Sequence, residues 1–188
     1  MQHSSHLELS KSYWKHLIEP GDIAIDATCG NGHDALFLST LPLSHLFGMD
    51  IQQTAIENTS RKLMNCKNFT LFCMSHCKID QLPLSALPRL IVYNLGYLPG
   101  GDKKLTTTTE STLLSVKKGL SLLATGGALS ITCYPGHEEG EKEETEILKY
   151  VTTLSKQEFG VNHHRWEHRP RLPSLLWIQK LKSGLIDP

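Results

Sequence analysis

Asp26, Asn31, Gly32 and Asp34 crowd into DATCGNGHD, a stretch that closes an apolar run. Glycines let a turn bring its backbone close to a ligand, and the turn after a strand is where open α/β sheets hold nucleotide-like cofactors. The same stretch also reads Gly30-Asn31-Gly32-His33-Asp34-Ala35, a G-x-G-x-x-A match, with Asp50 nearly at the distance of a ribose-binding acid in a dinucleotide fold. Charge separates the two ligands. A pyrophosphate needs a positive helix N-terminus, whereas carboxylates at Asp26 and Asp34 flank this turn. They suit a ligand carrying an ammonium and a sulfonium, as S-adenosylmethionine does, and Asp50 would accept hydrogen bonds from ribose hydroxyls in either case. Plainer roles stay open: Asp34 complementing a helix dipole, Asp26 bonding loop amides, Asp50 ending a strand.

A second constellation, Asn94-Leu95-Gly96-Tyr97, follows another apolar run. Methyltransferases that act on amines often carry [D/N/S]-P-P-[Y/F] at such a place. There a polar side chain and a backbone carbonyl accept hydrogen bonds from the amine and aim its lone pair. Here the prolines are missing, so Asn94 and Tyr97 are the candidate catalytic groups of a variant motif. In-line transfer needs alignment more than a strong base, but an alkylamine must first lose a proton to water or a nearby acceptor. Pro99-Gly100-Gly101 reads as a lid, and Thr107 with Glu110 as a capping box for the next helix. His137 would shape an acceptor pocket, end a strand or serve as a base. Cys73-x-x-His76-Cys77 offers three close ligands and no distant fourth, so no metal is expected. The acidic run EEGEKEETE, from Glu138, reads as solvated first turns of a helix.

The elements that must position these residues alternate between short apolar runs and longer amphipathic ones, the mark of an α/β sheet. Strands are predicted at Asp22–Asp26, Leu46–Asp50, Phe69–Met74, Leu90–Leu95, Ala128–Tyr134, Gly160–Trp166 and Leu175–Lys180. Helices are predicted at Leu7–Ile18, Asp34–Thr40, Gln52–Met64, Ser111–Ala124 and Glu141–Ser155, with helices filling the gaps throughout. The last two strands are too close for a helix between them and form a hairpin. At 188 residues and 39% hydrophobic content the chain fits one domain over 1–188, with 1–20 as an N-terminal helix packed on it. Net charge is zero, so a nucleic-acid partner would need a local basic patch. NHHRWEHRPR, from Asn162, is such a patch, with Arg169 set for phosphate and Trp166 either stacking on bases or buried in the core. No signal peptide or membrane span is expected, and the five scattered cysteines read as reduced thiols, so the protein is expected to be cytoplasmic. A homodimer stays open.

Taken in order, DATCGNGHD, Asp50-Ile51-Gln52, Ser75-His76, NLGYLPGGD from Asn94 and Tyr134-Pro135-Gly136-His137 resemble the MnmM (YtqB-like) family, formerly described as rRNA methylases. The resemblance runs from about Gly21 to Lys180. It implies a Rossmann-like class I methyltransferase, a mostly parallel seven-stranded sheet with a C-terminal antiparallel hairpin and helices on both faces. It further implies an enzyme that uses S-adenosylmethionine to N-methylate 5-aminomethyl-2-thiouridine at the tRNA wobble position, gripping the anticodon loop. By the same resemblance Asn31 and Gly32 contact the donor, Asp50 and Gln52 hold its ribose and adenine side, and Ser75 and His76 meet the adenine. Asn94, Gly96, Tyr97 and Tyr134 line the acceptor pocket. One stretch departs: the family carries an N-Q-x-N-x-P-P-like segment before the final strand, where this chain reads EHRPRLPSLL from Glu167.

Overall fold

The computed structural model describes residues 6–98, 100, 106–169 and 171–181. Strands β1 (Ile23–Asp26), β2 (His45–Asp50), β3 (Phe69–Cys73), β4 (Leu90–Asn94), β5 (Ala128–Cys133), β6 (Phe159–His164) and β7 (Ser174–Lys180) form one sheet in the order β3-β2-β1-β4-β5-β7-β6. The pairs among β1 to β5 are parallel, and β7 runs antiparallel to both β5 and β6. The predicted hairpin is therefore present, with β7 inserted between β5 and β6.

Alternation along the strands sends neighbours to opposite faces. Ile23, Ile25, Ile91, Tyr93, Leu129 and Ile131 pack on one face with Val116 and Leu120 of α4 (Thr109–Leu122) and Ile147 of α5 (Glu138–Val151). Ala24, Leu46, Leu90 and Val92 pack on the other with α1 (His6–Leu17) and α2 (His33–Leu38), and with Leu63 just past α3 (Gln53–Lys62). Trp14 anchors α1 there, its buried indole N–H donating to Ser130 Oγ at 2.8 Å. Both faces are covered, as near-continuous apolar strands require.

Between β3 and β4 the expected full helix is replaced by a 3₁₀ segment, His76–Gln81, with non-helical backbone at Lys78. Pro83 and Pro88 follow it, and each biases the residue before it away from helix. Helix α5 starts three residues earlier than its periodicity predicts, because His137 accepts the Gly140 N–H and caps it. Among the described residues no helix is long and apolar enough to cross a membrane. The strand order reverses beside β1, whose neighbours are β2 and β4. Ligands of open α/β sheets bind at that switch point, beyond the strands' C-terminal ends.

Candidate active site

A cavity of about 810 Å³ opens there, and it gathers most of the residues that the sequence singles out. Asn31, Asp34, Asp50, Gln52, Ser75 and His76 line it, as do Asn94, Gly96, Tyr97, Tyr134 and His137. Asp26, Gly32 and Arg169 do not.

The turn after β1 owes its shape to its glycines: Gly30 has φ 51° and Gly32 φ 74°, backbone that other residues adopt only at a cost. Asp50, at the end of β2, accepts the Gly30 N–H at 2.9 Å and the Gln52 N–H at 2.9 Å, one on each carboxylate oxygen. It thus ties the glycine turn to the start of α3 while facing the cavity. Gly32 is constrained from behind, since a Cβ would lie 2.8 Å from Thr59 Cα on α3. Its glycine serves helix packing rather than direct lining. Asn31 accepts from Asn58 Nδ2 at 3.1 Å.

Asp26 is fully buried beneath the turn and accepts the Thr28 N–H at 3.2 Å, so loop bonding, not lining, is its place in the fold. Burial, aided by the nearby charges of Asp34 and Asp50, pushes its pKa up to about 8. The site is therefore short of positive charge. A cationic ligand would relieve that shortage and a pyrophosphate would aggravate it.

Asp34 does more than complement the dipole of α2. Its Oδ2 accepts from Asn94 Nδ2 at 3.0 Å, joining the donor turn to the end of β4. Asn94 is held a second time through its backbone N–H, which donates to Thr28 Oγ1 at 2.7 Å. Burial, and after it the nearby Asp34 carboxylate, push the phenol of Tyr134 up to about 12. With its amide nitrogen turned to Asp34, Asn94 keeps its carboxamide oxygen as an acceptor at the cavity wall.

The residues just beyond Asn94 are tied to those just before α4. Gly96 has φ 108°, its N–H donates to Thr107 Oγ1 at 2.9 Å, and Tyr97 bridges Thr106. Thr107 in turn donates to Glu143 Oε2 at 3.0 Å. The expected capping box accordingly shifts by one residue: Thr108 caps α4 by accepting the Ser111 N–H. Glu139 takes the Thr109 N–H from across at 2.8 Å. Of the expected lid Pro99-Gly100-Gly101, Pro99 and Gly101 lie outside the described residues, as does Asp102 of the NLGYLPGGD motif.

His137 lines the cavity 6.2 Å from the Tyr97 ring, but its Nδ1 is occupied by the Gly140 N–H. The neutral ring then carries its hydrogen on Nε2, which suits a donor and not a base. His76 is buried and neutral, its pKa pushed down to about 4 by burial. The residue lines the cavity, and its buried Nδ1 has no hydrogen-bond partner in the protein. The Asp50 carboxylate and the His76 imidazole on the wall of one cavity fit an adenosine: hydroxyls for the acid, a ring edge for the imidazole. Trp166 is 40% exposed, which excludes the core alternative. Arg169 lies exposed on the loop before β7, whereas Arg171, two residues on, reaches the cavity wall with Pro173. Thr28 escaped the sequence reading altogether. Its only signal is its place two residues past the Asp26 that opens the turn.

Against known proteins, the family described as "Putative rRNA methylase" matches residues 46–180. The chain belongs to this family. A chloroplastic tRNA (mnm(5)s(2)U34)-methyltransferase of Arabidopsis thaliana is 32% identical over 94% of this chain and 69% of its own length. Among solved structures, the putative rRNA-methylase of Clostridium thermocellum superposes with a TM-score of 0.90 at 32% identity, covering 96% of this chain and all, 100%, of that one. A putative methyltransferase of Streptococcus mutans, in complex with S-adenosylhomocysteine (SAH), gives a TM-score of 0.85 at 33% identity over 96% of this chain and 99% of that one. The resemblance carried by the motifs is thereby borne out, and so is the Rossmann-like methyltransferase fold. The dinucleotide reading of G-x-G-x-x-A falls away.

Proposed function

We propose that this S-adenosylmethionine-dependent methyltransferase N-methylates 5-aminomethyl-2-thiouridine at the wobble position of tRNA, giving 5-methylaminomethyl-2-thiouridine. The observation that carries the reading is the Asp34–Asn94 hydrogen bond, which holds the Asn94 carboxamide at the cavity wall beside the donor turn. An amine accepting a methyl group needs its N–H held and its lone pair aimed, and a fixed acceptor does both. The curated plant relative, named for the same wobble nucleoside, supports the choice of acceptor.

Asp50, Gln52, Ser75 and His76 hold the donor's nucleoside end, and Asn31 and Asp34 its amino-acid end. S-adenosylmethionine, when bound, supplies the methyl group on a sulfonium. Asn94 orients the amine, and Tyr97, 40% exposed at the mouth, packs on the uracil ring. Arg171, Arg169 and Trp166 meet the anticodon loop. Mass analysis of nucleosides from a deletion strain tests the reading. Bulk tRNA should accumulate 5-aminomethyl-2-thiouridine and regain the methylated nucleoside on complementation. Loss of a methylated base from rRNA, with tRNA unchanged, would transfer the activity to ribosomal RNA instead.

A further inference from the structure

An alkylammonium cannot attack a methyl group until it loses a proton, and the cavity wall offers few acceptors. His137 has Nδ1 occupied, and the Asp34 carboxylate is engaged by Asn94. Beyond the wall, His6 in the first turn of α1 reaches the Tyr134 hydroxyl, with Nε2 3.4 Å from the phenolic oxygen and the rings edge-on at 5.7 Å. Tyr134 itself lines the cavity. With Nε2 of the neutral His6 ring unprotonated, the phenolic O–H of Tyr134 donates to it. The N-terminal helix, which the mechanism so far uses only as packing, thus brings an imidazole within reach of the acceptor site.

We propose that His6 takes up, through Tyr134, the proton that the substrate aminomethyl group must lose before methylation. The N–H bond of the ammonium breaks toward the phenolic oxygen as the phenolic O–H breaks toward His6 Nε2. The ammonium becomes a neutral amine, Tyr134 ends as it began, and His6 becomes an imidazolium. His6 touches neither substrate nor donor, so it is a positioning residue for the proton and not a catalytic one. The inference rests on the aminomethyl acceptor proposed above.

Opposing influences act on His6. Burial lowers its pKa below the usual histidine value, and the positive end of α1 acts in the same sense. Asp34 on α2 faces it and acts the other way, stabilising the imidazolium once formed. Among the described residues, Tyr134 at the end of β5 and Asp34 on α2 are the titratable groups shown facing it from other elements. The resting ring is neutral at neutral pH, ready to accept.

Single-turnover methyl transfer from labelled S-adenosylmethionine to tRNA bearing the aminomethyl nucleoside, followed from about pH 6.5 to about pH 9.5, tests this. The wild-type rate should be nearly flat. His6→Gln and Tyr134→Phe should each lose on the order of 10²-fold near pH 7 and recover as the amine deprotonates by itself. Added imidazole should rescue His6→Ala. Calorimetry with SAH should give His6→Gln the wild-type donor affinity. An equal loss at every pH, no loss at all, or a collapse of donor affinity overturns the relay while leaving the acceptor assignment intact. If the wild type itself transfers no methyl to that tRNA, the acceptor assignment fails and the relay fails with it.

Discussion

Asp26, Asp34 and Asp50 converge on one turn, and their environments divide the work. Asp50 has both oxygens on backbone N–H groups, Asp34 holds Asn94, and Asp26 is buried below with its pKa raised to about 8. Between about pH 4 and about pH 8 the folded chain keeps a proton on Asp26 that the unfolded chain has released. Its contribution to stability therefore falls as pH rises through that window and is flat above it. A sulfonium and ammonium bound over the turn would favour the carboxylate, so donor binding near pH 7.5 should release up to about one proton. Calorimetry in two buffers of unlike ionisation enthalpy reads this directly. The release should be smaller for SAH and absent in Asp26→Asn; a buffer-independent heat for the wild type would show that Asp26 does not sense the donor. Asp50→Ala should weaken donor binding by about 100-fold or more, since it removes the ribose acceptor and frees two loops at once. Asn94→Ala should spare donor binding while cutting turnover by about 100-fold. Equal losses of donor affinity in the two variants would break the division between donor and acceptor groups.

At the scale of elements, the decisive contacts are those that bring loops together across the switch point. α2 can start where it does only because Gly32 lets it lie against α3, where a Cβ would meet Thr59 Cα at 2.8 Å. Gly32→Ala should therefore cost about 1–3 kcal/mol in chemical denaturation and weaken donor binding with it. Gly160→Ala in β6, whose Cβ would meet only Leu181 Cδ2 at 3.4 Å, should stay within about 0.5 kcal/mol of wild type. α5 has a similar positioning duty. Its Glu143, buried with a raised pKa, takes hydroxyl hydrogens from Thr107 and from Thr112 at 3.0 Å and 2.5 Å, and so fixes the loop that carries Gly96 and Tyr97. The threonine run after that loop reads from sequence as a capping box alone. In the fold, Thr107 faces Glu143 and leaves the cap to Thr108.

For the molecule as a whole, 19 basic side chains balance 19 acidic ones, so no long-range field steers an RNA toward it. On the proposed function, affinity for the anticodon loop comes from the loop before β7. Arg165 is already answered there by Glu167, at 2.8 Å and 3.0 Å, while Arg171 sits at the cavity wall. Arg171→Ala should lower tRNA affinity about 5- to 10-fold and reduce the salt slope by about one. Arg165→Ala should change affinity by less than about 2-fold. Anisotropy titrations across a salt series separate the two, and the reverse ranking would move the anticodon contact away from the cavity mouth.

Alternating apolar runs and glycine turns made the sheet, its C-terminal hairpin and the donor turn legible in the sequence, because strand and turn preferences act over a few residues. The motif order was enough to place the chain in its family. The segment between β3 and β4 was misjudged, since periodicity cannot reveal that prolines and a short span leave room only for a 3₁₀ turn. What the tertiary structure alone decided is how the site is wired. Asp34 meets Asn94 across 60 positions of chain, and His6 meets Tyr134 across 128. Hydrogen bonds between such distant residues leave no local pattern, and burial, which raises Asp26 and lowers His76, exists only once the sheet has closed over them.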